Sequence, residues 1–143
     1  MPVPMKIPVA VIGASGYTGL EAIRLLDGHP SFDLVAATSR TYAQQPLRLQ
    51  VPGVRSKLVF EDMRPVEAAE RAEAVLVCLP HKEAAEVVAQ LIGTGKKIVD
   101  LSADFRFHDP RLYAAWYHEH PHRHLLRQAV YGLTEYKRAD VVK

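Results

Sequence analysis

A doubly wound α/β fold with a mostly parallel sheet is the class this sequence predicts, on three observations. Short, β-branched apolar runs alternate with helical patterns in the order strand, helix, strand, helix, strand. A glycine-punctuated turn, Gly13-Ala14-Ser15-Gly16-Tyr17-Thr18-Gly19, joins the first strand to the first helix. The loops that follow successive strands carry polar and charged residues, and in such sheets the ligand lies beyond the carboxyl ends of the strands.

Val9-Ala10-Val11-Ile12 reads as a buried strand. The glycines then turn the chain into a helix whose apolar positions, Leu20, Ile23 and Leu26, share one face. Asp27-Gly28-His29-Pro30 stops it, with glycine just past the helix end and proline two residues later. Residues 32–38 form the second strand and deliver Ser39-Arg40 at its carboxyl end. Residues 41–57 hold Pro46, Pro52 and Gly53 with little periodicity and read as a long loop, which is unusual in a compact domain unless it has a function. Leu58-Val59-Phe60 is a candidate short strand, and residues 65–72 form a helix with proline near its start. Ala74-Val75-Leu76-Val77-Cys78-Leu79 is the clearest buried strand after the first, closed by Pro80-His81. Residues 82–92 make a helix with Val87, Val88 and Leu91 on its apolar side, ended by Gly93-Thr94-Gly95, and Ile98-Val99-Asp100-Leu101 is the next strand. Beyond it lie Ser102-Ala103-Asp104-Phe105-Arg106, a short helix over residues 111–117, a histidine-rich stretch and Val130-Tyr131-Gly132-Leu133-Thr134-Glu135.

A chain of 143 residues fits one domain with a real core. Apolar content of 48% and charged content of 24% are ordinary for a globular protein. The net charge of +2 arises from 18 basic and 16 acidic residues without a block of either sign, which argues against nucleic acid or a membrane surface as partner. The single cysteine, Cys78, excludes an internal disulfide and suits a reducing cytosol. Met1-Pro2-Val3-Pro4-Met5-Lys6 has no apolar core of signal-peptide length and no run approaches a membrane span, so a cytoplasmic location is expected.

The glycines carry the first chemical argument. A backbone that approaches a pyrophosphate closely cannot bear Cβ atoms, and a helix N-terminus offers free N–H donors and the positive end of a dipole. The spacing is G-x-x-G-x-x-G, not the commoner G-x-G-x-x-G. A turn that merely tightens a strand–helix junction would use similar residues, but the strand and helix on either side favour a dinucleotide. After the second strand an NAD site usually places an acid for the ribose 2′-OH, whereas this chain offers Thr38, Ser39 and Arg40. A hydroxyl and a guanidinium suit a 2′-phosphate, so NADP is the expected cofactor. Cys78 lies inside an apolar run and reads as a core residue, not a nucleophile. His118, His120, His122 and His124 alternate as metal ligands could on a strand, but Pro121 with Glu119, Arg123 and Arg127 points to a solvated loop, and no metal site is expected. Asp104 and Arg106, as a charged pair at a strand end, could hold an anionic substrate or form a loop salt bridge.

Five segments in order, Gly-Ala-Ser-Gly-Tyr-Thr-Gly (13–19), Thr-Ser-Arg (38–40), Leu-Pro-His (79–81), Asp-Leu-Ser-Ala-Asp-Phe-Arg (100–106) and Tyr-Gly-Leu-Thr-Glu (131–135), resemble the N-terminal part of the N-acetyl-γ-glutamyl-phosphate reductases. These are NADPH-dependent enzymes of arginine biosynthesis related to aspartate-semialdehyde dehydrogenase. The resemblance covers nearly the whole chain and is most specific from Asp100 to Arg106. It implies a Rossmann-type NADP-binding domain over 1–143, with 102–143 leading toward a catalytic domain outside this sequence. The family reduces a small-molecule acyl phosphate to a semialdehyde: a thiolate displaces phosphate to give a thioester, which hydride then reduces. By position, Gly13, Ala14, Ser15, Gly16, Tyr17, Thr18 and Gly19 match the pyrophosphate loop, and Ser39 and Arg40 match the 2′-phosphate contact. Leu79, Pro80 and His81 match the loop beside the cofactor, and Ser102 and Arg106 match the region near the substrate phosphate. The family's catalytic cysteine, in an Asn-Pro-Gly-Cys motif, and its catalytic histidine have no counterpart here, so no residue is assigned a catalytic role and no turnover is expected of this chain alone. Thr134 stands where the family has proline. The full-length enzyme is expected to be a homo-oligomer. The alternatives are the lysine-biosynthesis homologue acting on an aminoadipyl phosphate, and a dinucleotide-binding module without catalysis.

Overall fold

The strands β1 (Ile7–Ile12), β2 (Phe32–Ala37), β3 (Ala74–Val77) and β4 (Lys97–Asp100) form one sheet in the order β2-β1-β3-β4, with every neighbouring pair parallel. The structure is a computed structural model that describes residues 5–142. The sequence reading of residues 1–4 therefore lies outside the described residues. The helices are α1 (Tyr17–Leu26), α2 (Leu47–Gln50), α3 (Pro65–Glu70), α4 (Glu83–Leu91), α5 (Pro110–Trp116) and α6 (Thr134–Val141).

Strand alternation sorts β1 onto two faces. Val9 and Val11 cluster with Ala22, Ile23 and Leu26 of α1. On the opposite face Ala10 and Ala36 meet Ala68 and Ala72 at α3, while Ile12, Val75 and Val77 meet Ala84, Ala85, Val88 and Leu91 of α4. Helices on both faces make the sheet doubly wound, as the strand–helix alternation predicts. Alanine on both sides of the α3 contact lets that helix sit close to the sheet. Burying Ile23 and Leu26 contributes about 1.5–3 kcal/mol each, so α1 is fixed on the sheet by its apolar stripe.

Four departures from the sequence reading have physical causes. The 41–57 loop is anchored and partly helical: Leu47, Val51 and Val54 are buried in the α1-side core, and the short α2 forms there. Residues 58–60 make an isolated antiparallel bridge between Pro46 and Val59 instead of a strand, although Phe60 is fully buried. The histidine stretch is only partly solvated, because His120, Leu125 and Leu126 are buried and residues 123–128 wind into a 3₁₀ turn. Helix α6 has no buried residue and hence no apolar stripe for periodicity to find. Thr134 occupies the first position of α6, where proline is favoured because that N–H has no intrahelical partner. Threonine there leaves the helix intact. Among the described residues, no helix is long and apolar enough to cross a membrane.

Candidate dinucleotide site

The turn after β1 is built by two glycines that the protein itself requires. Gly13 has φ +75°, and a Cβ there would lie 2.7 Å from the Cys78 carbonyl oxygen and from the Leu79 side chain. A Cβ on Gly19 would lie 2.5 Å from the Gly13 oxygen and 2.6 Å from the Ala14 Cα, so the first turn of α1 rests directly on the loop. Gly16 differs: its φ is −77°, and the nearest atom to a Cβ added there would be 3.8 Å away. No contact among the described residues demands a glycine there. Gly16 is also the N-cap of α1 and provides no side-chain cap, so the helix end presents open N–H groups. Ala14 is buried, Ser15 half-buried, and Tyr17 and Thr18 exposed at this end.

The loop is tied to the end of β2. Thr38 Oγ1 accepts from the Gly13 N–H at 3.2 Å, and its carbonyl accepts from the Ala14 N–H at 2.9 Å. Ser39 is buried and its Oγ accepts from the Tyr42 N–H, which leaves its own proton to donate. Arg40 is exposed on the rim. On the other side, β3 pairs with β1 up to Val77 opposite Ile12, and the Cys78 N–H continues the ladder to the Ile12 oxygen at 2.8 Å. Leu79 therefore abuts Gly13, while Pro80 and His81 project from the same sheet end. The sheet order puts Arg40 and His81 on opposite sides of the glycine turn. Cys78 is half-buried, and burial with the nearby Asp100 carboxylate pushes its thiol up to about 11. At that value it is held almost entirely as the thiol at neutral pH.

At the end of β4 the chain separates the two members of the expected charged pair. Asp104 is fully buried, and its carboxylate accepts from the Lys82 and Ala85 N–H groups at 2.9 and 2.8 Å and from the Tyr113 hydroxyl at 2.7 Å. Arg106 is exposed, donates from Nε to the Ser102 carbonyl at 3.3 Å and lies over the Tyr131 ring, 5.9 Å from its centroid. Asp104 and Arg106 thus form neither a substrate clamp nor a salt bridge, because burial gives the carboxylate to backbone N–H groups instead. The Ser102 hydroxyl donates to Asp100 at 2.8 Å and accepts from the Asp104 N–H. Burial raises the Asp100 carboxyl above its usual range, and the Ser102 hydrogen bonds oppose that shift. Ser102, Arg106 and Tyr131 all line a groove of about 580 Å³ along β4. His118 reaches the Tyr113 hydroxyl, while His122 pairs with Glu86 at 3.0 Å. Among the described residues, no group of three or more His, Cys, Asp or Glu side chains is arranged to hold a metal ion.

A parallel doubly wound sheet with an uncapped, glycine-lined helix N-terminus at its carboxyl edge defines a nicotinamide-dinucleotide-binding domain. The family model described as semialdehyde dehydrogenase, NAD binding domain, matches residues 8–143, and the chain belongs to that family. It is 47% identical over 139 residues to an N-acetyl-gamma-glutamyl-phosphate reductase from Geotalea daltonii, covering 96% of this chain and 40% of that protein. It is 46% identical over 132 residues to a [LysW]-L-2-aminoadipate/[LysW]-L-glutamate phosphate reductase from Sulfurisphaera tokodaii, covering 90% and 38%. The chain thus spans about 40% of the length of the reductases it matches. Among solved structures, aspartate semialdehyde dehydrogenase with NADP from Candida albicans shares the fold, with a TM-score of 0.63 and 20% identity over 74% of this chain and 32% of that one.

Proposed function

We propose that this chain is the NADP-binding domain of an N-acetyl-γ-glutamyl-phosphate reductase, with residues 102–143 leading toward the catalytic domain. The observation that carries the reading is Gly16: its missing Cβ serves no contact among the described residues, yet it sits at an uncapped helix end. A closely approaching phosphate supplies the missing reason. Gly13, Ala14, Ser15, Gly16, Tyr17, Thr18 and Gly19 cradle the pyrophosphate, and Ser39 and Arg40 receive the 2′-phosphate. Leu79, Pro80 and His81 border the other half of the dinucleotide. Bound NADPH supplies hydride to the reduction of an acyl phosphate to N-acetyl-glutamate semialdehyde. Ser102 and Arg106 hold the phosphate of that substrate, with the exposed Arg106 guanidinium making charge-assisted contacts from the groove wall. With its raised pKa, Cys78 cannot be the thiolate that forms a thioester, so that group comes from the catalytic domain. The whole enzyme acts in the cytoplasm as a homo-oligomer on a small-molecule substrate. Identity to the Sulfurisphaera tokodaii protein supports a second reading, in which the acyl phosphate is an aminoadipyl derivative.

Titration of the chain with NADP⁺ and NAD⁺, repeated with Arg40→Ala, tests the cofactor assignment. A charge-assisted contact to phosphate contributes about 1.5–3 kcal/mol, so NADP⁺ binding should weaken about 10- to 150-fold while NAD⁺ binding changes little. A folded chain that binds neither nucleotide, or a variant that loses both equally, would overturn it.

A further inference from the structure

Helix α4 begins immediately after the loop that carries Pro80 and His81, and its own N-cap residue supplies no side-chain hydrogen bond. That residue, Lys82, has φ +75° and ψ −54°, the dihedral angles of a rare and strained γ-turn. Strain of this kind persists only where the surroundings enforce it, and it gathers at ligand clamps. The group that grips this residue is Asp104, which lies 22 residues further along the chain and accepts from the Lys82 N–H. One carboxylate oxygen accepts from both the Lys82 and Ala85 N–H groups, performing the cap that the local sequence lacks. The other oxygen accepts from the Tyr113 hydroxyl. Burial and the Asp104 carboxylate both push that hydroxyl's pKa up, so it remains a donor. The Tyr113 oxygen in turn lies 3.2 Å from His118 Nε2, and the His118 ring lies 6.1 Å from the His81 ring at 25°. The chain of contacts therefore leaves the loop at the Lys82 N–H and returns to it at the His81 ring.

We propose that Asp104, braced by Tyr113 and His118, is a positioning residue that holds the Pro80–Lys82 loop against the nicotinamide half of the bound dinucleotide. The inference rests on the cofactor site proposed above. With the 2′-phosphate at Arg40 beyond β2 and the pyrophosphate at the β1 turn, the sheet order leaves the nicotinamide half over β3 and β4. Asp104 touches neither half, so its influence is confined to the side the loop borders.

The test uses two probes on the purified chain: NADP⁺, and adenosine 2′,5′-bisphosphate, which lacks the nicotinamide half. Wild type should bind both. Asp104→Ala should weaken NADP⁺ by about tenfold and leave the bisphosphate unchanged. Asp104→Asn, whose amide oxygen still accepts from the Lys82 and Ala85 N–H groups, should restore most of the NADP⁺ affinity. Equal loss of both probes, loss of neither, or failure of the asparagine variant to rescue would overturn the proposal. If Asp104→Ala does not fold, Tyr113→Phe decides. It should speed amide exchange at Lys82 and Ala85 but not at Leu20 and weaken NADP⁺ alone, and unchanged exchange and affinity would overturn the proposal. Wild type that binds neither probe would instead remove the cofactor site itself, and the inference with it.

Discussion

Replacing Gly16 with alanine separates what the fold needs from what the ligand needs. A Cβ at this position has Gly13 oxygen at 3.8 Å and Cys78 oxygen at 3.9 Å as its nearest neighbours, which is ordinary van der Waals contact. The backbone at φ −77° suits any L-residue. Two small effects on stability then oppose one another. Alanine narrows the unfolded ensemble, which stabilises by about 0.4–1 kcal/mol, and it is a poorer N-cap than glycine by a similar amount. The net change should fall within about 0.5 kcal/mol, a shift in Tm of no more than about 3 °C for a domain of this size. In the proposed complex the same methyl would meet the phosphate at the helix end. Overpacking of this kind costs about 1–3 kcal/mol, so NADP⁺ affinity should fall about 5- to 150-fold. Gly19→Ala is the contrasting control. Its Cβ would strike the backbone at 2.5 Å and 2.6 Å, and backbone cannot rotate away, so Tm should drop before any binding is measured. Thermal denaturation and isothermal titration on both variants check the argument. A Gly16→Ala chain that keeps wild-type NADP⁺ affinity would refute the close approach of a phosphate.

Two further outcomes follow from buried titratable groups. The folded Cys78 thiol holds its proton up to about 11, against an ordinary value of 9.0, so the stability it contributes is complete below pH 9.0 and is lost as pH rises through the folded value. Alkylation at pH 8 should be about 100-fold slower in the native chain than in urea, and equal rates would contradict the burial. His120 is buried, its Nε2 has no hydrogen-bond partner among the described residues, and burial lowers its pKa; His122 and His118 act in the same direction while Asp104 opposes. Its folded value lies below 6.5, so its contribution is present above pH 6.5 and is lost as pH falls through the folded value. Urea midpoints of the wild type should therefore decline below pH 6.5, with a slope of at most about 1.4 kcal/mol per pH unit from this group. His120→Asn, which keeps an acceptor for the His122 N–H, should flatten the decline, and an unchanged slope would assign the acid sensitivity elsewhere.

The parts of this fold that are legible in the sequence are those whose signal is local. β-branched runs and a glycine turn need no distant partner to be read, and the strands at β1, β2, β3 and β4 fall where those runs stand. The 41–57 segment reads as a long loop of little periodicity because Pro46, Pro52 and Gly53 mask three anchors, Leu47, Val51 and Val54, that are four and three residues apart and point into one core. Asp104 is hidden for a different reason. Charge and proximity suggest Arg106 as its partner, two residues away, but a carboxylate with no exposure is held by the donors that fold around it, and those lie on α5 and at the start of α4. No window of sequence contains that arrangement. A detectable trace does exist: α4 opens after Pro80-His81-Lys82, none of which is a good N-cap, so its first N–H groups have no local side-chain acceptor. Helices α2 and α6 also start without a side-chain cap, so an open end alone marks no ligand; α1 and α4 differ from them in starting at the carboxyl edge of the sheet. At α1 no side chain among the described residues caps the end, and at α4 Asp104 does. That difference fits the anion site proposed at the first helix, with the second helix carrying the loop beside it.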